Sequence, residues 1–472
     1  AGGAGAGAAW RLAVQAMATT LRGLADPLFA ERADDLLDLE RQVLFAVSGE
    51  EAPASALPSG AIVIADELLP SQLMALDGAQ VAGFCTARGG ATSHVAILAA
   101  AMGVPALAAV GPALLRVADG TAVILDAEAG LLRIAPDGAT FEAAQQALAR
   151  RAERRRDERA AALAPCALAD GVRIEVCANL GGVGEAPEAV RQGAEGCGLF
   201  RTEFLYLERR DPPDEAEQRA AYQAVADALD GRPLTVRTLD AGGDKPLAFA
   251  PAPHEPNPAL GLRGVRAGLR APDLLIAQLR AILGVSGPGE RRVLLPMVSD
   301  LAELRAVRRL LDEAVAELKV PRPQLGVMIE TPAAALMADR FAREADFLSI
   351  GSNDLTQYVL AMDREHPELA SRLDALHPAV LRLIAQVTAA AGPCPVSLCG
   401  GLASDPLAAP LIIGLGVRAL SAAPFAIPAV KAALARLDLA DCRAAADAAL
   451  PLTTPEEVRD LLRARFADGA QS

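Results

Sequence analysis

The chain has 472 residues, 52 % of them hydrophobic but only 3 % aromatic, with a formal net charge of -14. That length accommodates two or three domains, each with its own core, and the Ala-rich composition points to helices packed through small side chains. The acidic balance argues against nucleic acid and against anionic membrane surfaces as partners. Lysine occurs only at 245, 319 and 431, so the positive charge is almost all arginine, whose planar fork grips phosphate and carboxylate at two points. Seven cysteines, without C-x-x-C spacing, fit a reducing cytoplasm. No signal-peptide pattern is read. The uncharged stretch Val95–Leu115 is broken by Gly103, Pro105, Gly111 and Pro112, so it reads as a buried helix, a turn and a strand rather than a membrane span.

Residues 10–47 carry apolar side chains at helical spacing through Leu21, Leu24, Leu28, Leu36, Leu39 and Val43. From 60 to 135, short apolar strands are expected at Ala61–Ala65, Val81–Phe84, Ala106–Val110, Ala122–Leu125 and Leu131–Ile134, separated by turn residues such as Asp119-Gly120. Within this α/β unit lies Gly-Gly-Ala-Thr-Ser-His at 89–94, opening the apolar run Val95–Met102. Glycines permit close approach to a ligand, Thr and Ser cap a helix, and a helix start favours an anion. His94 is therefore placed to carry a phosphoryl group. The segment Glu142–Ala164, with Arg-Arg-Ala-Glu-Arg-Arg-Arg-Asp-Glu-Arg at 150–159, interleaves acids with bases and reads as a solvated linker helix and hinge.

From 170 onward eight strand-like segments alternate with helical ones: Ile174–Ala178, Gly196–Phe200, Leu234–Leu239, Arg292–Val298, Leu325–Ile329, Asp346–Ile350, Val396–Leu398 and Ala419–Ser421. This pattern predicts a (β/α)8 barrel, with a doubly wound open sheet as the alternative. The barrel is favoured because the unusual polar residues fall just past strand ends, where barrel active sites are built. Arg201, Arg237 and Arg364 could grip an anion carrying both phosphate and carboxylate. Glu330 and Asp354 offer hard oxygen ligands for Mg²⁺, and Cys399 could move a proton. Taken singly, each has a plainer reading: Arg201 and Glu203 as a rim salt bridge, Glu330 as a strand end, Cys399 as a small buried hydrophobe.

The segments Gly-Leu-Phe-Arg-Thr-Glu-Phe (198–204), Arg-Thr-Leu-Asp-Ala-Gly-Gly-Asp-Lys (237–245), Asn-Pro-Ala-Leu-Gly-Leu-Arg (257–263), Met-Ile-Glu-Thr-Pro-Ala-Ala-Ala (328–335), Gly-Ser-Asn-Asp-Leu-Thr-Gln-Tyr (351–358) and Leu-Cys-Gly (398–400) follow the His94 motif in order. Together they resemble phosphoenolpyruvate-protein phosphotransferase, Enzyme I of the bacterial sugar phosphotransferase system. The resemblance extends to the Enzyme I portion of fused multiphosphoryl transfer proteins of fructose uptake. It implies that His94 accepts the phosphoryl group and passes it to a histidine of a small phosphocarrier protein. It implies that Arg201, Arg237, Arg364 and Asn353, with Arg263 a further member, hold phosphoenolpyruvate beside Asp354. Glu330 and Asp354 would bind Mg²⁺, and Cys399 would protonate the enolpyruvate to pyruvate. It also implies a homodimer through the barrel and a cytoplasmic protein.

The expected organisation is a linker and remnant of a helical carrier-docking domain at 1–47, a mobile phosphohistidine domain at 48–138, a helical linker at 139–166 and the barrel with C-terminal helices at 167–472. Two departures from the family pattern stand out. The helical hairpins that dock the carrier are mostly absent, so a further N-terminal part is expected before the Gly/Ala-rich start, which suits an interdomain linker. Gly401 stands where the family usually has glutamate. The competing readings are a pyruvate phosphate dikinase or phosphoenolpyruvate synthase fragment, and a non-catalytic regulatory phosphocarrier.

Overall fold

The computed structural model describes residues 5–23, 36–41, 43–44, 46–47, 57–68, 81–88, 104–127, 129–207, 209–242, 249, 255–364, 366 and 368–466. Backbone contacts divide the chain into two units, Ala1–Arg151 and Ala152–Ser472.

In the first unit, the helix Ala6–Arg22 buries Val14 and Ala18, and helical residues recur within 36–47, inside the span where apolar spacing predicts helix. Strands β1 (Ala61–Ala65), β2 (Val81–Thr86) and β3 (Ala106–Leu107) form a parallel sheet in that order. β3 is shorter than its apolar run suggests because Ala109 takes a left-handed backbone, φ 57°. Val110 nonetheless donates to the Thr86 carbonyl at 3.0 Å. Strands β4 (Val123–Asp126) and β5 (Leu131–Ile134) pair antiparallel, as alternating apolar residues either side of a Gly-containing turn dictate. Among the described residues two small cores result, one around Leu68 and Phe84, the other around Cys85, Ala87 and Leu114. The motif carrying His94 lies outside the described residues.

In the second unit, eight parallel strands close on themselves: β6 (Glu175–Leu180), β7 (Cys197–Phe200), β8 (Leu234–Arg237), β9 (Arg291–Leu295), β10 (Gln324–Ile329), β11 (Phe347–Gly351), β12 (Val396–Cys399) and β13 (Ala419–Ala422). β13 pairs with β6 and completes the ring, so the chain folds as a barrel and not as an open sheet. Helices follow the strands because apolar stripes recur at helical spacing. The helix Leu301–Leu318 buries Leu304, Val307, Leu311 and Ala314, and opens on an Asp300/Glu303 capping box. Between strands and helices the core is continuous, while Leu199, Leu294, Met328, Phe347 and Cys399 cluster separately. Gly326 pairs with Phe347 across β10 and β11, and a Cβ there would sit 2.3 Å from the Phe347 ring. The missing side chain on one strand is the room for the ring on the next.

Two strands stop earlier than their apolar runs suggest, both toward the C-terminal rim. β8 ends at Arg237, after which the Leu239 N–H donates to Gln278 Oε1 at 2.9 Å instead of to the next strand. β9 ends at Leu295, because Pro296 has no N–H and Met297 turns into the left-handed region, φ 58°. All seven cysteines are free thiols, and among the described residues no helix is long and apolar enough to cross a membrane.

Candidate active site at the barrel rim

The site is built at the C-terminal ends of successive strands. After β7, the Arg201 N–H donates to the Leu180 carbonyl at 2.9 Å, extending the ladder by one residue, and Thr202 Oγ1 donates to the Arg237 carbonyl at 3.0 Å. These bonds lock the turn that carries Glu203 into the interior. There its carboxylate accepts a hydrogen bond from Arg237 Nη2. Arg237, the last residue of β8, is only 5 % exposed. A buried guanidinium is costly unless paired, and here Asp240 Oδ2 adds a second partner at 3.5 Å from Nη1. Burial pulls the Arg237 pKa down, but Glu203, Asp240, Glu330 and Asp354 outweigh it, so the group stays charged throughout the accessible pH range.

Arg263 is buried as deeply. It holds Asp240 at two points, Nε to Oδ1 at 3.2 Å and Nη2 to Oδ2 at 2.8 Å. Its Nη1 donates to Asp354 Oδ1 at 3.4 Å and to the Tyr358 hydroxyl at 3.3 Å. Asp354 stands in the first turn of the helix Ser352–Leu360 and also accepts from Arg364 Nη1 at 3.4 Å. Glu330, just past β10, accepts the Met297 N–H on Oε1 at 2.6 Å. The left-handed backbone at Met297 is what aims that N–H at the carboxylate. Burial raises the Glu330 pKa, and repulsion from Asp354 and Asp240 raises it further.

Cys399 ends β12 and is 3 % exposed, with Ser349 Oγ 4.0 Å from its sulfur. Burial, then the nearby Glu330 charge, pushes its thiol up to about 11, against opposing pulls from Arg237 and Arg201. The group is therefore a neutral thiol at ordinary pH, an acid that keeps its proton until something more basic arrives. Ser352 Oγ donates to the Cys399 carbonyl at 2.8 Å, and Gly401 donates its N–H to Asn353 Oδ1 at 3.0 Å, joining the ends of β11 and β12. Gly400 takes φ 103°, and a Cβ there would meet Ser352 Oγ at 2.4 Å, so the Cys-Gly step is sterically required.

The structure thus gathers Arg201, Arg237, Glu330, Asn353, Asp354, Arg364 and Cys399 at one rim. His94 lies outside the described residues. The sequence alone did not reveal that Glu203 and Asp240 are the buried counter-charges of the arginines. The only available signal was an acid two or three residues beyond each rim arginine at a strand end. His377 and His366 are local turn acceptors, taking the N–H of Ala379 at 3.1 Å and of Glu368 at 3.2 Å, while His254 is outside the described residues.

Residues 155–439 match the family model for the PEP-binding domain of PEP-utilising enzymes, and residues 57–130 match that for their mobile domain. A phosphoenolpyruvate-protein phosphotransferase of Haloferax volcanii is 44% identical over 444 residues, spanning 92% of this chain and 77% of that protein. The chain belongs to the phosphoenolpyruvate-protein phosphotransferase family. A second relative of that name, from Geobacillus stearothermophilus, is 37% identical over 447 residues, 93% of this chain and 77% of that protein. A multiphosphoryl transfer protein of Xanthomonas campestris pv. campestris is 46% identical over 465 residues, 97% of this chain. The chain spans 56% of the length of that protein. The family's mobile-domain match includes His94, and its PEP-binding match includes every other candidate residue named above.

Proposed function

We propose that this chain takes the phosphoryl group of phosphoenolpyruvate onto His94, releases pyruvate, and passes the group to a histidine of a small phosphocarrier protein in sugar uptake. The observation that carries this reading is the rim itself, where buried guanidiniums, two adjacent carboxylates and a neutral thiol converge at the C-terminal end of a PEP-binding barrel. Arg201, Arg237, Arg263 and Arg364, with Asn353, hold the phosphate and carboxylate of the substrate. An imidazole nitrogen of His94 attacks phosphorus, an N–P bond forms, and the P–O bond to the enol oxygen breaks. Phosphoryl transfer of this kind depends on positioning and charge neutralisation more than on covalent help. The enolate carbon then takes the proton of Cys399, and the resulting thiolate regains one from solvent.

The donor set fits Mg²⁺. Four guanidiniums, from Arg201, Arg237, Arg263 and Arg364, face four acidic side chains, from Glu203, Asp240, Glu330 and Asp354, so the arginine charge is largely balanced before a polyanion binds. Glu203 and Asp240 are held by arginines at shorter range than Asp354, whose contacts to Arg263 and Arg364 are both 3.4 Å. Glu330 and Asp354 repel one another, a tension that a dication relieves. Among the described residues no group of three or more His, Cys, Asp or Glu forms an all-protein cage, and Mg²⁺ characteristically needs only one or two carboxylates plus substrate oxygens and water. Once bound, Mg²⁺ supplies charge neutralisation at the transferring phosphoryl group. The reading carries with it the fourfold domain division, a homodimer through the barrel and a cytoplasmic setting, the last supported by the free thiols.

The deciding test is incubation with radiolabelled phosphoenolpyruvate and Mg²⁺, following acid-labile protein label and pyruvate. Label that needs Mg²⁺ and vanishes in His94→Ala is expected, and a folded protein that takes no label would overturn the reading. A second expectation concerns Gly351, where a Cβ would sit 2.8 Å from Glu330 Oε2. Gly351→Ala should displace that carboxylate and lower pyruvate release about 10²-fold at fixed Mg²⁺. A Mg²⁺ titration should shift to higher concentration in parallel, and an unchanged titration would show that Glu330 is not a ligand.

A further inference from the structure

Asp240 lies outside the set of residues that would touch substrate or metal, yet it is as enclosed as Glu330, 1 % exposed. Its Oδ1 accepts Arg263 Nε at 3.2 Å, its Oδ2 accepts Arg263 Nη2 at 2.8 Å, and the same Oδ2 stands 3.5 Å from Arg237 Nη1. One carboxylate therefore bridges two guanidiniums from different parts of the chain, Arg237 at the end of β8 and Arg263 in a later loop. The local chain is shaped to allow it. Gly242 takes φ 108°, and a Cβ there would lie 2.4 Å from the Leu262 carbonyl oxygen and 3.1 Å from Arg263 Cβ. Only glycine lets the loop after β8 press its backbone against the segment bearing Arg263.

A buried ion network of this size needs a reason, because well-packed apolar residues of equal volume are often as stable or more so. A second observation points outward. Arg237 Nε is fully buried and has no hydrogen-bond partner among the described residues, although its Nη atoms are engaged by Glu203 and Asp240. A buried donor left unmet by the protein is an expense that a bound acceptor removes.

We propose that Asp240 is a positioning residue for the phosphoenolpyruvate reaction: its carboxylate holds Arg237 and Arg263 at a fixed spacing and thereby sets the grip on the phosphate. This rests on the function proposed above. Unbridged, two like charges that share one counter-ion would repel and move apart. With the bridge between them they present a pre-set pair of forks to a phosphate group, whose own charge then completes the arrangement. Asp240 itself does not reach the substrate. Its effect appears in substrate binding and only weakly in the chemical step.

The test uses the full chain and two variants. Asp240→Asn keeps the shape but replaces one acceptor oxygen by a donor that faces a guanidinium. Asp240→Glu keeps the charge but changes the spacing. Both are expected to raise the KM for phosphoenolpyruvate about tenfold or more while kcat at saturation falls less than about threefold, the pattern of lost binding rather than lost chemistry. Inorganic phosphate, tested as a competitive inhibitor, should weaken in parallel. Oxalate, which has no phosphate and relies on the metal-bearing carboxylates, should inhibit within about twofold of the parent. Equal weakening of phosphate and oxalate would mean general loosening and would overturn the proposal, as would native phosphate inhibition in both folded variants. Should Asp240→Asn fail to fold, Asp240→Glu carries the comparison alone. Should the parent chain accept no phosphoryl group, the enzymatic reading falls, whereas phosphate binding by the same variants still decides the role of Asp240.

Discussion

Arg237→Met is expected to lower the unfolding free energy of the barrel by about 3–5 kcal/mol and to abolish phosphoenolpyruvate turnover at the same time. The stability loss follows from what the guanidinium leaves behind. Glu203 is 2 % exposed and Asp240 1 % exposed, and both face Arg237. Remove the cation and Glu203 must stay charged in a low-dielectric interior or take up a proton, and either route is costly, whereas Asp240 loses one of its two guanidiniums and keeps Arg263. The loss of turnover has a different origin, the missing fork for the substrate anion. The two effects can be separated. Adding Glu203→Gln to Arg237→Met removes the stranded charge while leaving Asp240 to Arg263, and should recover most of the stability, but no turnover. Since the one tryptophan is Trp10, in the other unit, denaturation of the barrel has to be followed by far-ultraviolet circular dichroism. A loss below about 1 kcal/mol for Arg237→Met would put these carboxylates in the range of exposed, solvent-screened ion pairs and count against a buried network.

The barrel was legible because its signals are local. Short apolar runs, turn residues and amphipathic helices recur eight times, and polar residues crowd where each run stops. Arg237 and Cys399 close their strands, while Arg201 and Glu330 follow immediately after theirs, as a rim demands. What was not legible depends on contacts between loops. Nothing in the spacing of residues 237–263 says that Asp240 will be clasped by Arg263 and Gly242 laid against Leu262, because that pairing exists only after β8 and its successor loop are folded. The early end of β9 was likewise hidden. Pro296 hinted at it, but the left-handed turn at Met297, with its N–H committed to Glu330, is a consequence of where Glu330 sits. The cysteine chemistry shows the same division. Cys399-Gly400 could be found by motif, whereas the neutrality of its thiol follows from burial and the Glu330 charge beside it. For His94 the motif is the whole argument, since the residue is outside those the structure describes.

Cys399→Ala is expected to slow pyruvate release by about 10²–10⁴-fold while leaving His94 able to acquire label from phosphoenolpyruvate in a single turnover. In the proposed reaction, breaking the P–O bond produces the enolate whether or not an acid is near, so the first half-event would not need the thiol. Converting the enolate to pyruvate would, if Cys399 is the proton donor as proposed. The thiol suits that step because its surroundings keep it protonated. With the group pushed up to about 11, the donor form dominates at every pH below that value, so the parent chain should show no alkaline loss of activity assignable to Cys399 below about pH 10. An ordinary cysteine, titrating near 8.5, would already be failing as a donor at pH 9. Cys399→Ser keeps the size and a proton but is a far weaker acid, and should fall between parent and alanine. The measurements are single-turnover labelling beside a coupled pyruvate assay, each across pH 7 to 10. An alanine variant releasing pyruvate at the parent rate would remove the thiol from the mechanism. Solvent would then be the proton source, and Cys399 would count only as packing beside Leu199, Leu294, Met328 and Phe347, the apolar residues it already touches.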